Sequence, residues 1–373
     1  MKVAIFHNLL FGGAKRVMVE QARFLKKNGH DVDVFTTSTE NDQFDMLEVS
    51  DHVFTYPFEI KKSIIPLFGR MVQDLNNFYF LNLHHKKIAK EIHRRKYDVL
   101  LVHPDRFTQA PFLLKYSIAP SAYYCEEPLR MVYEYSLRLR EQVGFFKRLY
   151  EELTRLYRKR IDRENARNAT VPIASCFHIR ERMIEAYDVY PQVAYPGVDE
   201  NIFKPKKMRK KNEVLFIGNK DVVNDGYDLV VAALRKIPKQ IRPKLHIIEW
   251  KKQNKERMSE DELVNLYNSV KITLCLSRFE TFGLVPLESM ACATPVIATN
   301  VSGHRETVIN GKTGFLVDFN PKEIAEKITY LLANPEILEK IGGQARLHVL
   351  ASWTWRRKGE DLEKILQNLS SRK

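Results

Sequence analysis

Two glutamates, Glu280 and Glu288, stand at either side of "TFGLVPL" in the segment "SRFETFGLVPLESMACATPVIATN". The apolar run "ITLCLS" before them reads as a buried strand, and a helix begins after Gly283 whose first turn is expected to hold Pro286 and Glu288. Proline is tolerated there because the N–H it lacks has no partner in a first helical turn. A helix mouth turns unpaired amides and the positive end of its dipole toward an anion. The amides near Phe282 and Gly283 are therefore expected to meet a phosphate, with one carboxylate on each side. Carboxylates accept hydrogen bonds from hydroxyls, so the pattern suits a phosphate-bearing ligand with hydroxyls on both flanks, such as a nucleotide sugar. A second Gly-rich turn, "FGGAK" with Gly12 and Gly13, joins a strand to a helix near the N-terminus and has the same capacity.

The elements that must position these residues occur in two places. "KVAIFH" reads as a buried strand, "NLLFGGAK" as a turn, "RVMVEQARFLKKNG" as an amphipathic helix ended by Gly29, and "HDVDVFTT" as the next strand. Far downstream, "NEVLFIGN" is a strand, "KDVVNDG" a loop, "YDLVVAALRKIP" a helix and "KLHIIEW" a strand. Two such starts predict two α/β, doubly wound parallel-sheet domains, over residues 1–195 and 205–352. The stretch "VAYPGVDENIFKPKKMRKK" between them reads as the linker, and its basic run "KPKKMRKK" as a solvated segment, with contact to anionic lipid the weaker alternative. The charged stretch from Met131 to Arg167, with aromatic and leucine positions mixed in, is expected to be helical and to belong to the first domain.

Among 373 residues, 44% are hydrophobic and 11% aromatic, which indicates a folded chain. With 60 Lys+Arg against 46 Asp+Glu the formal charge is +14, so an anionic partner is expected. The charge is dispersed and no nucleic-acid motif accompanies it, which argues against nucleic acid and leaves a nucleotide or an anionic membrane surface. Cys125, Cys176, Cys275 and Cys292 are isolated, with no CxxC and no metal-ligand spacing. They read as reduced core residues, which suits a cytoplasmic protein. The opening "MKVAIFH" reads as a strand and not a leader peptide, and no apolar run approaches the roughly 18 residues of a membrane span. Any membrane contact is expected to be peripheral, at the inner face. Asp31 and Asp33 in "DVD" fall in an alternating strand, so the structural reading outweighs a metal-binding one. His7, His103 and His178 read as satisfied polar residues at strand ends. His103, in "LLVHPDR" at a strand's C-terminal end, is the one also kept as a catalytic candidate.

The order and spacing of these motifs resemble the family 4 retaining glycosyltransferases of the GT-B fold over nearly the whole chain. "FGGAKRVMVEQARFLKKNGHDVDVFT" is similar to that family's Gly-Gly loop, first helix and following strand. "YYCEEPLR" is similar to a segment that often reads YCH-PPR. "VPIASCF" and "YPGVDENIFKP" resemble the end of the first domain, "ETFGLVPLE" the two-glutamate motif, and "PVIATNVSGHRETVINGKTGFLV" its continuation. The resemblance implies two Rossmann-like domains facing a cleft, the first binding acceptor and the second nucleotide sugar. Residues 353–373 would return to the first domain, with Trp353 and Trp355 marking the return.

The resemblance also implies a hexosyltransferase that moves a sugar, with retention and without a metal or other cofactor, from a nucleotide-sugar co-substrate to a glycan, polysaccharide or lipid-linked acceptor. Glu280 would bind donor-sugar hydroxyls and Glu288 the ribose. The backbone of Phe282, Gly283 and Leu284 would hold the distal phosphate. Gly12 and Gly13, with Lys15 and Arg16 behind them, would approach the diphosphate from the first domain. The family's Arg after the Gly of "FIG" and its Lys six residues on are here Asn219 and Asp225, so the diphosphate would meet Gly218, Asn219 and Lys220, with Lys220 as the substitute cation. Glu126 stands where a His is frequent and Arg130 keeps the motif's Arg. Both are acceptor-binding candidates, and Glu126 is also a candidate base that would repel phosphate. Taken singly, Gly12-Gly13 is an ordinary tight turn and a first-turn Glu merely suits the helix dipole. Loss of the two cations keeps open a second reading, a catalytically impaired nucleotide-sugar-binding subunit.

Overall fold

The structure is a computed structural model that describes residues 1–10, 12–37, 45–62, 64, 69–134, 144–249 and 258–371. Phe11 of the Gly-Gly motif, Trp250 at the end of a predicted strand and residues 135–143 of the predicted charged helix lie outside these. Two compact units divide the chain, Met1–Tyr195 with Gly359–Lys373, and Pro196–Lys358.

The first unit is built on seven parallel strands, β1 (Lys2–Asn8), β2 (Asp31–Thr36), β3 (His52–Thr55), β4 (Val99–Asp105), β5 (Ser121–Cys125), β6 (Val171–Ala174) and β7 (Gln192–Val193). Their order is β3-β2-β1-β4-β5-β6-β7, so the sheet reverses its direction of growth between β1 and β4. Val3 faces Val32 on one side and Val99 on the other, and Val3 to Phe6 are wholly buried. A parallel sheet covered on both faces needs such an unbroken apolar run. The helix Gly13–Lys27 follows β1 and ends on Asn28 and on Gly29 at φ 77°, with Lys26 and Lys27 beside its negative end. From Gly359 onward the C-terminal helix Trp355–Ser370 belongs to this unit: Glu363 accepts from Asn28 Nδ2 at 3.2 Å and pairs with His30 Nε2 at 2.6 Å.

The second unit has five parallel strands, β8 (Glu213–Ile217), β9 (Lys244–Ile248), β10 (Ile272–Cys275), β11 (Val296–Thr299) and β12 (Gly314–Val317), in the order β12-β11-β10-β8-β9. Its reversal lies between β8 and β10. Val214, Phe216, Ile272, Leu274 and Ile297 pack from the sheet against Val230, Ile324 and Ile328 of the covering helices.

Three sequence expectations are corrected here. The basic linker is not simply solvated: Lys206 N donates to Asn268 Oδ1 at 2.7 Å, and Lys210 Nζ donates to Val270 O at 3.1 Å. Burial pushes the Lys210 ammonium down to about 8. His178 lies in the helix Phe177–Tyr187 and not at a strand end. His103 is not a satisfied polar residue either, since neither ring nitrogen has a hydrogen-bond partner among the described residues. In "DVD", Asp33 accepts from Tyr97 Oη at 2.6 Å and pairs with His52 at 2.9 Å, partners that give it a structural task. All four cysteines are free and buried.

The first unit carries opposing pH terms in its core. Asp162 is fully buried in the helix Phe145–Arg167, accepting from Ala110 N at 3.0 Å and from Tyr187 Oη at 2.8 Å. Burial nevertheless pushes its carboxyl up to about 7. Its stabilisation is complete below the unfolded value of about 4 and is lost as pH rises through 7. Burial does the reverse to His85 and His103, each driven down to about 3, so their contribution is complete above about 6.5 and lost as pH falls. Asp162→Asn is therefore expected to steepen the rise of unfolding free energy between about pH 5 and pH 6.5, by about 1 kcal/mol per pH unit. Denaturant titrations that give parallel curves for variant and wild type would refute this.

Candidate functional site

In a doubly wound sheet, ligands bind outside the carboxyl ends of the strands where strand order reverses. In the second unit that point is the end of β8 and β10, and the chain leaves β8 into Gly218-Asn219-Lys220 and β10 into Glu280-Gly283. The two exits are tied together. Gly226, at φ 81°, lies so close to the end of β10 that a Cβ there would fall 1.9 Å from Leu276 O. Arg278 N donates to Asn224 O at 2.7 Å, and the Arg278 guanidinium grips both oxygens of Asp228 at 2.8 and 2.6 Å.

The turn before the helix Leu284–Ala291 is held in the same way. Gly283 caps it at φ 90°, a left-handed conformation that a side chain would strain, and His304 sits against it, where a Cβ would meet its ring at 3.1 Å. Gly303 N donates to Glu280 O at 3.3 Å, and the Phe282 ring packs 5.7 Å from Trp353. The His304 ring is buried and its Nδ1 faces Thr299 O at 3.2 Å; burial drives it down to about 4, so it stands neutral beside the helix mouth. Glu280 and Leu284 are half-buried at this mouth.

Glu288 is placed differently from the sequence expectation. It is the fifth residue of the helix, past the first turn, and only 4% exposed; Tyr267 Oη donates to its Oε2 at 2.8 Å. Burial, then the charges of Glu280 and Glu288, raise the Cys275 thiol at the end of β10.

The loop after β8, expected to meet the diphosphate, also differs from the family pattern. Asp225 Oδ2 accepts from Asn219 N at 2.6 Å, so the two residues that replace the expected Arg and Lys hold one another. Lys220 Nζ pairs with Glu249 Oε2 at 3.3 Å. A side chain on Gly218 would strike Phe216 at 2.8 Å. Tyr267, His304, Arg278 and Glu249 were not singled out from the sequence. Tyr267 sits in the helix Glu260–Ser269 as one more apolar-face residue, and only its contact with Glu288 gives it a role.

In the first unit, Gly12 caps the helix Gly13–Lys27 at the end of β1. Lys15 is buried, contrary to a cation reaching outward, while Arg16 is half-buried. His103 lies inside β4, wholly buried, 5.3 Å from the Tyr124 ring, and stands neutral. As placed it touches no open surface, which argues against direct catalysis. Arg130 is committed to Glu134 at 2.8 and 3.1 Å. Glu126 follows β5, and its Oε1 has no hydrogen-bond partner among the described residues. Burial, then the neighbouring Glu127, pushes its carboxyl up to about 8. That shift favours the neutral acid, which weakens both the expected base role and the expected repulsion of phosphate.

Comparisons with known proteins bear on the family and the fold. The model for Glycosyltransferase Family 4 matches residues 11–202, just over half of the chain, and that for Glycosyl transferases group 1 matches residues 251–348. A probable sucrose-phosphate synthase of Thermosipho melanesiensis is 29% identical over 217 residues, 49% of this chain and 50% of that protein. A D-inositol 3-phosphate glycosyltransferase of Paenarthrobacter aurescens is 31% identical over 198 residues, 44% of this chain and 48% of that protein. The chain thus spans about half the length of these curated relatives. Among solved structures, sucrose-phosphate synthase from Thermosynechococcus elongatus superposes with a TM-score of 0.72 at 18% identity, over 100% of both chains. Anabaena HepE in complex with UDP and glucose gives 0.71 at 15%, over 99% of this chain and 100% of that one. These likenesses show the fold, the two Rossmann-like units of the GT-B glycosyltransferases. With both halves matched in order by their family models, this chain belongs to glycosyltransferase family 4.

Proposed function

We propose that this protein transfers a hexose, with retention and without a metal, from a nucleotide sugar to a glycan, polysaccharide or lipid-linked acceptor. The observation that carries the reading is the place of Glu280 and the Gly283-capped helix mouth in the turn after β10, at the point where strand order reverses, with Glu288 as the fifth residue of that helix. Backbone amides there would meet the distal phosphate and stabilise the leaving charge in place, Glu280 would accept from donor-sugar hydroxyls, and Glu288, steadied by Tyr267, from the ribose. Glu126, as a neutral acid, would donate to a hydroxyl of the sugar or acceptor. UDP-glucose is the first donor to try, because the fold neighbour HepE also has a structure in complex with it. A cytoplasmic setting with peripheral contact at an anionic membrane surface belongs to the same reading, supported by the +14 charge. No described helix is long and apolar enough to cross a membrane.

A thermal-shift series over nucleotide sugars tests the proposal, since a ligand bound only by the native state must stabilise it. A shift with one nucleotide sugar, and none with the free sugar, is expected. No shift across the series would remove the proposal. Glu288→Ala is expected to raise the donor KM by about tenfold with kcat little changed, because ribose contacts act alike in the ground and transition states. A fall in kcat alone would reassign Glu288 to the reacting centre.

A second reading rests on the loop after β8. Asp225 occupies the Asn219 amide, and Lys220 is held by Glu249. A subunit that binds a nucleotide sugar without transferring it is consistent with that loop, and donor hydrolysis or transfer assays separate the two.

A further inference from the structure

The helix Phe145–Arg167 carries an apolar ridge that the described residues of its unit leave exposed. Phe145 is 72% exposed, Phe146 85% and Leu153 58%, and Leu149, Leu156 and Tyr157 are exposed beside them. Their spacing of three and four residues puts them on one side of the helix. The opposite side is committed: Tyr150 Oη donates to Asp74 at 2.8 Å, Glu151 accepts from Arg70 at 2.9 Å, and Arg158 pairs with Asp74. These bonds fasten the helix to the segment 69–80, whose Met71, Leu75 and Tyr79 are also exposed, and Phe78 meets Tyr157 edge to face at 5.0 Å. Two elements of the first unit thus present apolar side chains. Such a surface on a water-soluble fold needs a partner.

The charges beside the ridge favour one partner. Lys147 and Arg148 stand exposed at the start of the same helix, whereas Arg160, further along, pairs with Glu164 at 2.7 Å. A second copy docked through this face by a two-fold axis would bring those cations against their own copies, which like-charge repulsion opposes. A bilayer bearing anionic headgroups takes the apolar ridge into its acyl boundary and the flanking cations at its phosphates, the arrangement of an interfacial amphipathic helix.

We propose that the ridge of Phe145, Phe146, Leu149 and Leu153, flanked by Lys147 and Arg148, is the face by which this protein docks to an anionic membrane. The proposal rests on the reading of peripheral membrane contact and assigns that contact to one helix. The test is co-sedimentation of the full chain with vesicles of phosphatidylcholine, alone or mixed with phosphatidylglycerol, at low and high salt. The wild-type chain is expected to bind the mixed vesicles at low salt and to be released at high salt. The triple variant Phe145→Ser, Phe146→Ser, Leu153→Ser, whose sites are exposed and whose melting temperature should not change, is expected to lose about tenfold in partitioning. Leu347→Ser, at a residue 66% exposed in the other unit, should bind like wild type. Equal binding of the triple variant and wild type would overturn the assignment while leaving membrane contact standing. Failure of the wild-type chain to bind mixed vesicles at low salt would remove both. A wild-type dimer that the triple variant turns into a monomer, without vesicle binding, would give the ridge to a second copy and overturn the proposal.

Discussion

Glu280→Gln is expected to lower sugar transfer by a hundredfold or more, on the order of the 3 kcal/mol that a charge-assisted hydrogen bond to a reacting group is worth, while leaving nucleotide affinity nearly unchanged. Glutamine keeps the shape of the side chain, and the backbone beneath it is held independently by the Gly303 N–H on Glu280 O. The turn into the helix Leu284–Ala291 is therefore expected to survive, with Gly283 still at its left-handed φ of 90°. What disappears is the negative charge that, on the proposed reading, would strengthen hydrogen bonds from donor-sugar hydroxyls as charge develops on the sugar ring. The measurements are incorporation of labelled sugar into acceptor and a thermal shift with the free nucleotide, made on the same preparation. Transfer within threefold of wild type would sink the assignment of Glu280, and loss of the nucleotide shift would show that the variant had damaged the site as a whole.

Lys220→Ala is expected to lower turnover by on the order of a hundredfold, the usual effect of removing one preorganised charge partner from a developing anion. With Asn219 and Asp225 in the places of the usual cations, Lys220 is the cation left on this loop to meet a diphosphate. Its Nζ now lies 3.3 Å from Glu249, so service at the phosphate requires exchanging that carboxylate for the ligand. Because Lys220 is substantially exposed, the ion pair contributes at most about 1 kcal/mol, and a dianionic diphosphate can displace it. The converse change, Asn219→Arg with Asp225→Lys, is expected to leave activity unchanged or raise it. It adds two cations, although it removes the carboxylate that accepts from the Asn219 amide at 2.6 Å. If Lys220→Ala were silent and the double change created transfer where wild type had none, the natural chain would be a nucleotide-sugar-binding relative of the transferases and not an enzyme.

Much of this site was legible in local sequence, for identifiable reasons. A buried parallel strand must be apolar throughout, so β1, β8 and β10 announced themselves. The turns that follow them need small residues, so Gly12, Gly218 and Gly283 marked where the chain leaves the strands. The order of those motifs along the chain determined the family and the two-unit division of labour it implies. Side-chain partnership was a different matter. Tyr267 reaches Glu288 across 21 positions, and Arg278 reaches Asp228 across 50. Ala110 meets Asp162 across 52. Periodicity carries no signal over such separations, because the two partners come together only when the sheet order sets their strands and helices side by side. The same holds for protonation. "YYCEEPLR" shows a carboxyl group at Glu126, but whether it is an acid or a base at pH 7 depends on how much water the folded chain leaves around it. Burial of the Glu126 carboxyl near Glu127 raises it toward the neutral acid, and burial of His103 inside β4 withdraws from solvent a side chain that its position in the sequence had placed at the open end of the sheet. Desolvation is a property of the packed interior, and so only the tertiary structure could settle it.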